Sequence, residues 1–150
     1  MNVTTKERYH ARFRKVFDYI EQHLDDNLSV EQLSGIAAFS KYHFHRQFTE
    51  LFGISLYKYI QLIRLKRASY QLAFRDDKII DIAFSSGYEG PEAFSRAFKN
   101  TIGQSPSEFR KQPQWNNWHT IYQPINELRN YQMKLQSKVN QVKIISFKAN

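Results

Sequence analysis

The sequence contains no cysteine. Disulfides, thiolate zinc sites and cysteine nucleophiles are excluded together, and a reducing compartment is suited without being required. Long apolar runs are missing too: no stretch approaches the ~18 residues that crossing a bilayer takes. The N-terminal segment MNVTTKERYHARFRK is polar and lacks the apolar core of a signal peptide. The cytoplasm is therefore the expected location. No nucleophile, base and orienting acid stand together at suggestive spacing, and the carboxylates are scattered where a nuclease would converge them on metal ions. An enzyme is not expected, and no cofactor or metal is implied. His43 and His45 resemble a metal pair in print, but residues two apart on a helix face opposite sides.

Negative charge is in short supply. Asp and Glu number 14 against 22 Lys and Arg, which leaves a formal charge of +8. Such an excess draws polyanions, nucleic acid first and an anionic membrane second. With 150 residues, 41% of them hydrophobic, the chain is long enough to bury one core or two very small ones.

What is present is a segment written twice. FHRQFTELFGISLYKYI runs from Phe44 to Ile60, and FSRAFKNTIGQSPSEFR from Phe94 to Arg110. Phe44/Phe94, Arg46/Arg96, Phe48/Phe98, Gly53/Gly103 and Ser55/Ser105 recur in register, with an aromatic at Tyr59 and Phe109. Upstream, Leu33-Ser34 matches Ile82-Ala83 and Phe39 matches Tyr88, at an offset one residue shorter, so the second turn is a residue longer.

Periodicity supplies the elements. Tyr9, Phe13, Val16, Phe17, Ile20 and Leu24 lie on one helical stripe. Ser29, with Gln32 three residues on, reads as a capping box for a short helix from Val30 to Ala37 that buries Val30, Leu33, Ile36 and Ala37. Ser40 caps a helix over Lys41–Phe52, which Gly53 ends. Its inner face is Phe44, Phe48, Leu51 and Phe52; its outer face is Tyr42, His45, Arg46 and Thr49. Ser55 opens a long helix to about Arg75. A short helix over Ile79–Ser86, a turn at Gly87-Tyr88, and a helix from Pro91 or Glu92 to Thr101 repeat the plan. Phe94, Phe98 and Ile102 face inward there, and Glu92, Ser95, Arg96 and Lys99 outward. Short helix, turn and second helix with a polar outer stripe make a helix-turn-helix, here twice. Pro113 to Trp118 reads as a linker, Pro124 to Leu135 as a helix and Gln141 to Phe147 as a strand. The expected fold is all-α, about seven helices in two helix-turn-helix subdomains joined by a long helix, plus a C-terminal extension.

The repeated arginine has a geometric role. Two residues from each phenylalanine is about 200° around a helix, so Arg46 and Arg96 stand on the solvent faces of the two second helices. Arginine there suits bidentate pairing with guanine edges, or phosphate. Pairing with acids at helical spacing, Glu50 or Glu92, is the alternative. The long helix, at roughly 30 Å, approaches the ~34 Å of one DNA turn, so a single chain would read two successive major grooves.

These residues carry a family resemblance. Ile82-Ala83, Gly87-Tyr88, FSRAFK, Gly103, Ser105-Pro106 and Glu108-Phe109-Arg110 resemble the DNA-binding domain of AraC/XylS-type bacterial transcription regulators, in the layout of MarA, SoxS and Rob. The resemblance covers about Val16 to Arg110. It implies a DNA-binding domain over 8–112, with helix-turn-helix units near 29–53 and 79–103 and a linker helix near 55–75. It implies binding of double-stranded promoter DNA as a monomer, and activation through contact with RNA polymerase. Carried over by position, Tyr42, His45 and Arg46 face bases, with Lys41 and Thr49 nearer the backbone. In the second unit the matching positions are Pro91, Glu92, Ala93, Ser95 and Arg96, with Lys99 toward phosphate. Pro91 to Ala93 depart from the longer polar side chains of better-known relatives, so the second unit either reads bases or mainly grips the backbone. Residues 113–150 are expected to be an accessory element or the start of an effector domain. The competing functional reading is a basic helical adaptor for an acidic protein.

Overall fold

The computed structural model describes residues 4–127. The expected strand at Gln141–Phe147 and the helix beyond 127 lie outside the described residues. Those described form α1 (Thr5–Gln22), α2 (Val30–Ile36), α3 (Lys41–Phe52), α4 (Leu56–Phe74), α5 (Ile79–Ser85), α6 (Pro91–Ile102), α7 (Pro106–Lys111) and an eighth helix, α8, over 115–127, with no strand among them. They divide into two units, one holding residues 4–23, 28–55 and 126–127, the other 24–27 and 56–125.

In the first unit α1 opens on Thr4, whose side chain accepts from Glu7 N while the Glu7 carboxylate accepts from Thr4 N at 2.9 Å. That is a reciprocal capping box, and it starts the helix four residues ahead of its first apolar residue, Tyr9. At α2 the expected box is only half made. Ser29 accepts from Gln32 N at 3.1 Å, but the Gln32 amide donates instead to the Tyr19 hydroxyl at 2.6 Å. Val30 and Ile36 are half-buried, and Leu33 and Ala37 carry the inner face. Ser40 caps α3 and Gly53, in the left-handed region, ends it. The core is aromatic: the Phe13 ring lies 5.4, 5.8 and 5.4 Å from those of Phe44, Phe48 and Phe52. Edge and tilted contacts of this kind add to the burial of each ring.

The second unit is built around α4, which buries residues on every side, among them Leu56, Tyr59, Leu62, Leu65, Ser69 and Leu72. With buried residues on so many sides, and Tyr57, Tyr70 and Phe74 exposed, α4 lacks a single amphipathic stripe. Phe94, Phe98 and Phe109 pack in series, and Trp115 continues the series at 5.3 Å from Phe109. The stretch Pro113–Trp118 is therefore not a linker: the chain is helical from 115 because Trp115, Trp118 and Tyr122 pack inward. Pro124, expected to open a helix, sits inside α8 instead.

Three arginines are internal ties. Arg64 donates to the carbonyls of Leu24 and Asp26 at 3.1 and 2.8 Å. Arg67 bonds the Ser85 carbonyl at 2.6 Å and pairs with Asp25 at 2.9 Å. Arg110 reaches the carbonyls of Leu72, in the last turn of α4, and of Arg75, just past its end, at 3.1 Å each. Helix ends leave such carbonyls without partners, and a guanidinium fork satisfies two at once. Burial, and then the neighbouring Arg67, lower the pKa of Arg64.

The two turns share one backbone design. Phe39 N donates to Ser34 O at 2.9 Å, and Tyr88 N to Ala83 O at 3.1 Å. The residue before each donor is left-handed: Ala38 at φ 59° and Gly87 at φ 90°. The second turn keeps its extra residue, five between α5 and α6 against four between α2 and α3. Ala38→Gly is expected to stabilise the protein by up to about 1 kcal/mol, because relieving a left-handed alanine (roughly 1–2 kcal/mol) outweighs the added chain entropy of glycine. Gly87→Ala should destabilise by more than about 1 kcal/mol, since its Cβ would also stand 3.2 Å from Arg64 Nη1. Urea melts of both variants check the pair of signs; equal signs contradict the shared turn.

Candidate nucleic-acid interface

On α3 the side chains expected outward are outward. Tyr42 is 76% exposed, and Lys41, His45, Arg46 and Thr49 are exposed with it. The cause is the buried pair Phe44 and Phe48, which fixes the rotation of the helix and leaves the intervening residues on the opposite face. His43 takes a different direction from His45: its ring lies 4.9 Å from Phe39 and 6.0 Å from Tyr9. The two histidines do not converge.

Several of these groups already have partners within the chain. Arg46 Nε lies 3.3 Å from Glu50 Oε1, one helical turn on, so the acid-pairing alternative is realised at this position. Both side chains remain more than half exposed, and such a pair is worth only about 0.3–0.5 kcal/mol. A polyanion can therefore take the guanidinium over at little expense. Lys41 Nζ donates to Glu31 Oε1 of α2 at 2.7 Å, and this hydrogen bond holds the Glu31 carboxyl below its ordinary pKa. The Thr49 hydroxyl turns back to the His45 carbonyl at 3.0 Å.

On α6 the phenylalanines Phe94 and Phe98 are again fully buried. Glu92, Arg96 and Lys99 are exposed, whereas Pro91, Ala93 and Ser95 are half-buried. Two stripes result. Glu92, Ser95 and Lys99 form one; Ala93, Arg96, Ala97 and Asn100 form the other, at steps of three and four. The second stripe lines an open groove with Lys58 and Gln61 of α4 and Ile121 of α8. Arg96 lies in this groove, whereas Lys99, its neighbour three residues on, does not line it. Asn100 and Ile121 had no signal in the sequence that set them apart; the spacing of Ala93, Arg96, Ala97 and Asn100 on one face was the trace available.

Comparison with known proteins agrees with this architecture. A family described as a helix-turn-helix domain matches residues 33–112. The HTH-type transcriptional regulator YbfP of Bacillus subtilis is 39% identical over 102 residues, 68% of this chain and 35% of that protein. The right origin-binding protein of Escherichia coli K12 is 32% identical over 102 residues, with the same shares of 68% and 35%. The match thus spans about a third of the length of these relatives. Among solved structures, the DNA-binding domain of AdpA, a global transcriptional factor held in complex with a target DNA, aligns with a TM-score of 0.62 at 26% identity. That alignment covers 69% of this chain and 97% of that one. A regulator from Chromobacterium violaceum with an AraC-type DNA-binding domain gives a TM-score of 0.65 over 69% of this chain and 92% of that one; its 23% identity speaks for the fold alone. With more than half of the sequence matched and two helix-turn-helix units in the structure, the chain belongs to the AraC-type helix-turn-helix family of transcription regulators.

Proposed function

We propose that this protein binds double-stranded DNA sequence-specifically and regulates transcription, with α3 and α6 entering successive major grooves. The observation that carries the reading is the exposed polar stripe of α3, held outward by Phe44 and Phe48 on a helix of twelve residues. An α-helix of that kind fits the width of the major groove. Unbroken α4, nineteen residues long, rises about 28 Å, close to the ~34 Å repeat of the duplex. The AdpA domain, held on its target DNA, supports the same reading.

Within this reading Tyr42, His45 and Arg46 meet base edges, and Lys41 and Thr49 meet phosphate or sugar. In the second unit Arg96 reads a base, Lys99 grips phosphate, and Pro91, Glu92, Ala93 and Ser95 face the groove. Contacts of the first kind specify and those of the second kind position. The protein binds as a monomer, acts as an activator that touches RNA polymerase, and works in the cytoplasm; among the described residues no helix is long and apolar enough to cross a membrane. The DNA-binding domain ends near 112 by family pattern, and the sequence after it belongs to an accessory or effector region.

Arg46→Ala should weaken binding to a selected duplex by about 1–3 kcal/mol and relax preference at one base pair. Competition between cognate and random duplexes measures it, and a variant that discriminates like the wild type removes Arg46 from the base-reading set. Glu50→Gln has the opposite sign. It releases Arg46 and takes one negative charge from the surface, so affinity should rise a few-fold while thermal stability shifts by less than about 0.5 kcal/mol. Weaker binding by this variant would mean that Glu50 orients Arg46. Salt-sensitive binding to an acidic protein, with none to duplex DNA in the same buffer, would replace the whole reading by that of an adaptor.

A further inference from the structure

Helix α8 begins after residue 112, where the helix-turn-helix match ends, yet it is built into the second unit. Two buried hydrogen bonds anchor it to α4. Trp118 Nε1 donates to Ser69 Oγ at 2.8 Å, and the Tyr122 hydroxyl donates to the Leu62 carbonyl at 2.9 Å. Trp118 and Tyr122 are buried, their rings 4.9 Å apart. Groups desolvated to this degree fix the register of a helix, because sliding it would leave both donors unpaired. Ile121, between those anchors in sequence, is half-buried and lines the groove that also contains Arg96.

The groove has an unequal lining. On α6 the positions one turn from Arg96 are Glu92, Ala93, Lys99 and Asn100, and the side chains that share its groove, Ala93, Ala97, Asn100 and Thr101, are short. Bulk comes from Ile121 and Leu62, while Lys58 stands in the same groove with its ammonium 3.3 Å from Gln61 Oε1. We propose that Ile121 is a positioning residue for Arg96: its branched side chain closes rotamers that would turn the guanidinium away, so that Arg96 is directed at a base edge instead of the nearest phosphate. Arginine is rich in rotamers, and those closed before binding need not be frozen on the DNA. A phosphate contact carries no sequence information, so the wall acts on discrimination more than on affinity. This rests on the reading that Arg96 meets a base.

The test uses the full chain, a duplex selected by the wild type from a random pool, and single base-pair changes across its second half. Arg96→Ala should lose the discrimination at one pair, roughly 5- to 150-fold in the wild type. Ile121→Ala should lower discrimination at that same pair by about threefold or more, with affinity for random duplex unchanged, and Ile121→Leu should keep it. If Arg96→Ala relaxes the pair and Ile121→Ala does not, the role of Ile121 is overturned and base reading by Arg96 stands. If Arg96→Ala discriminates like the wild type, both fall. If Ile121→Ala weakens selected and random duplexes equally and lowers the melting temperature, its role is structural only and the inference is overturned.

Discussion

Each second helix is held by two phenylalanines one turn apart, and the outward surface depends on that grip. Phe44 and Phe48 in the first unit and Phe94 and Phe98 in the second are fully buried. A helix pinned at two points on one stripe cannot rotate without exposing a ring, which would forfeit about 1.5–3 kcal/mol per side chain. The residue between the rings is thereby committed to solvent, and in both units it is arginine. The turn before each helix fixes its direction through one backbone hydrogen bond and one left-handed residue.

On this common frame the units differ in how they reach it. The first caps its second helix with Ser40, while the second has Gly90 at the cap and Pro91 in the first turn. The first places alanine in the left-handed position, and the second needs glycine there because Arg64 passes against it. The positive charge is divided as well. Arg64, Arg67 and Arg110 are committed to carbonyls inside the second unit, so the net charge overstates what the surface offers a polyanion. What remains outward on α3 and α6 is a small set of cations, the best placed of them one turn from a carboxylate that can release it.

Much of this was legible in the sequence where local chemistry decides. The bounds of α3 follow from Ser40 and Gly53, and both structural signals operate within four residues. The repeated phenylalanines and the longer second turn were equally readable. What escaped depends on partners distant in the chain. Gln32 turned from its cap to Tyr19, thirteen residues away. Arg64 and Arg67 have partners that no local pattern reveals, the carbonyls 38 to 40 and 18 residues off. Pro113 to Trp118 read as a linker and Pro124 as the start of a helix, and only the docking of Trp118 and Tyr122 on α4 shows one helix running from 115 through Pro124. Thr4 lay outside the apolar stripe that marked α1, so its capping box went unread.

The proposed function requires the two arginine-bearing helices to address one side of a duplex a single turn apart. Hydroxyl-radical footprinting of the full chain on a selected site measures this most directly. Two protected patches on the same face, about 10 base pairs between centres, are the expected result. A single patch, or two patches on opposite faces of the duplex, would contradict it.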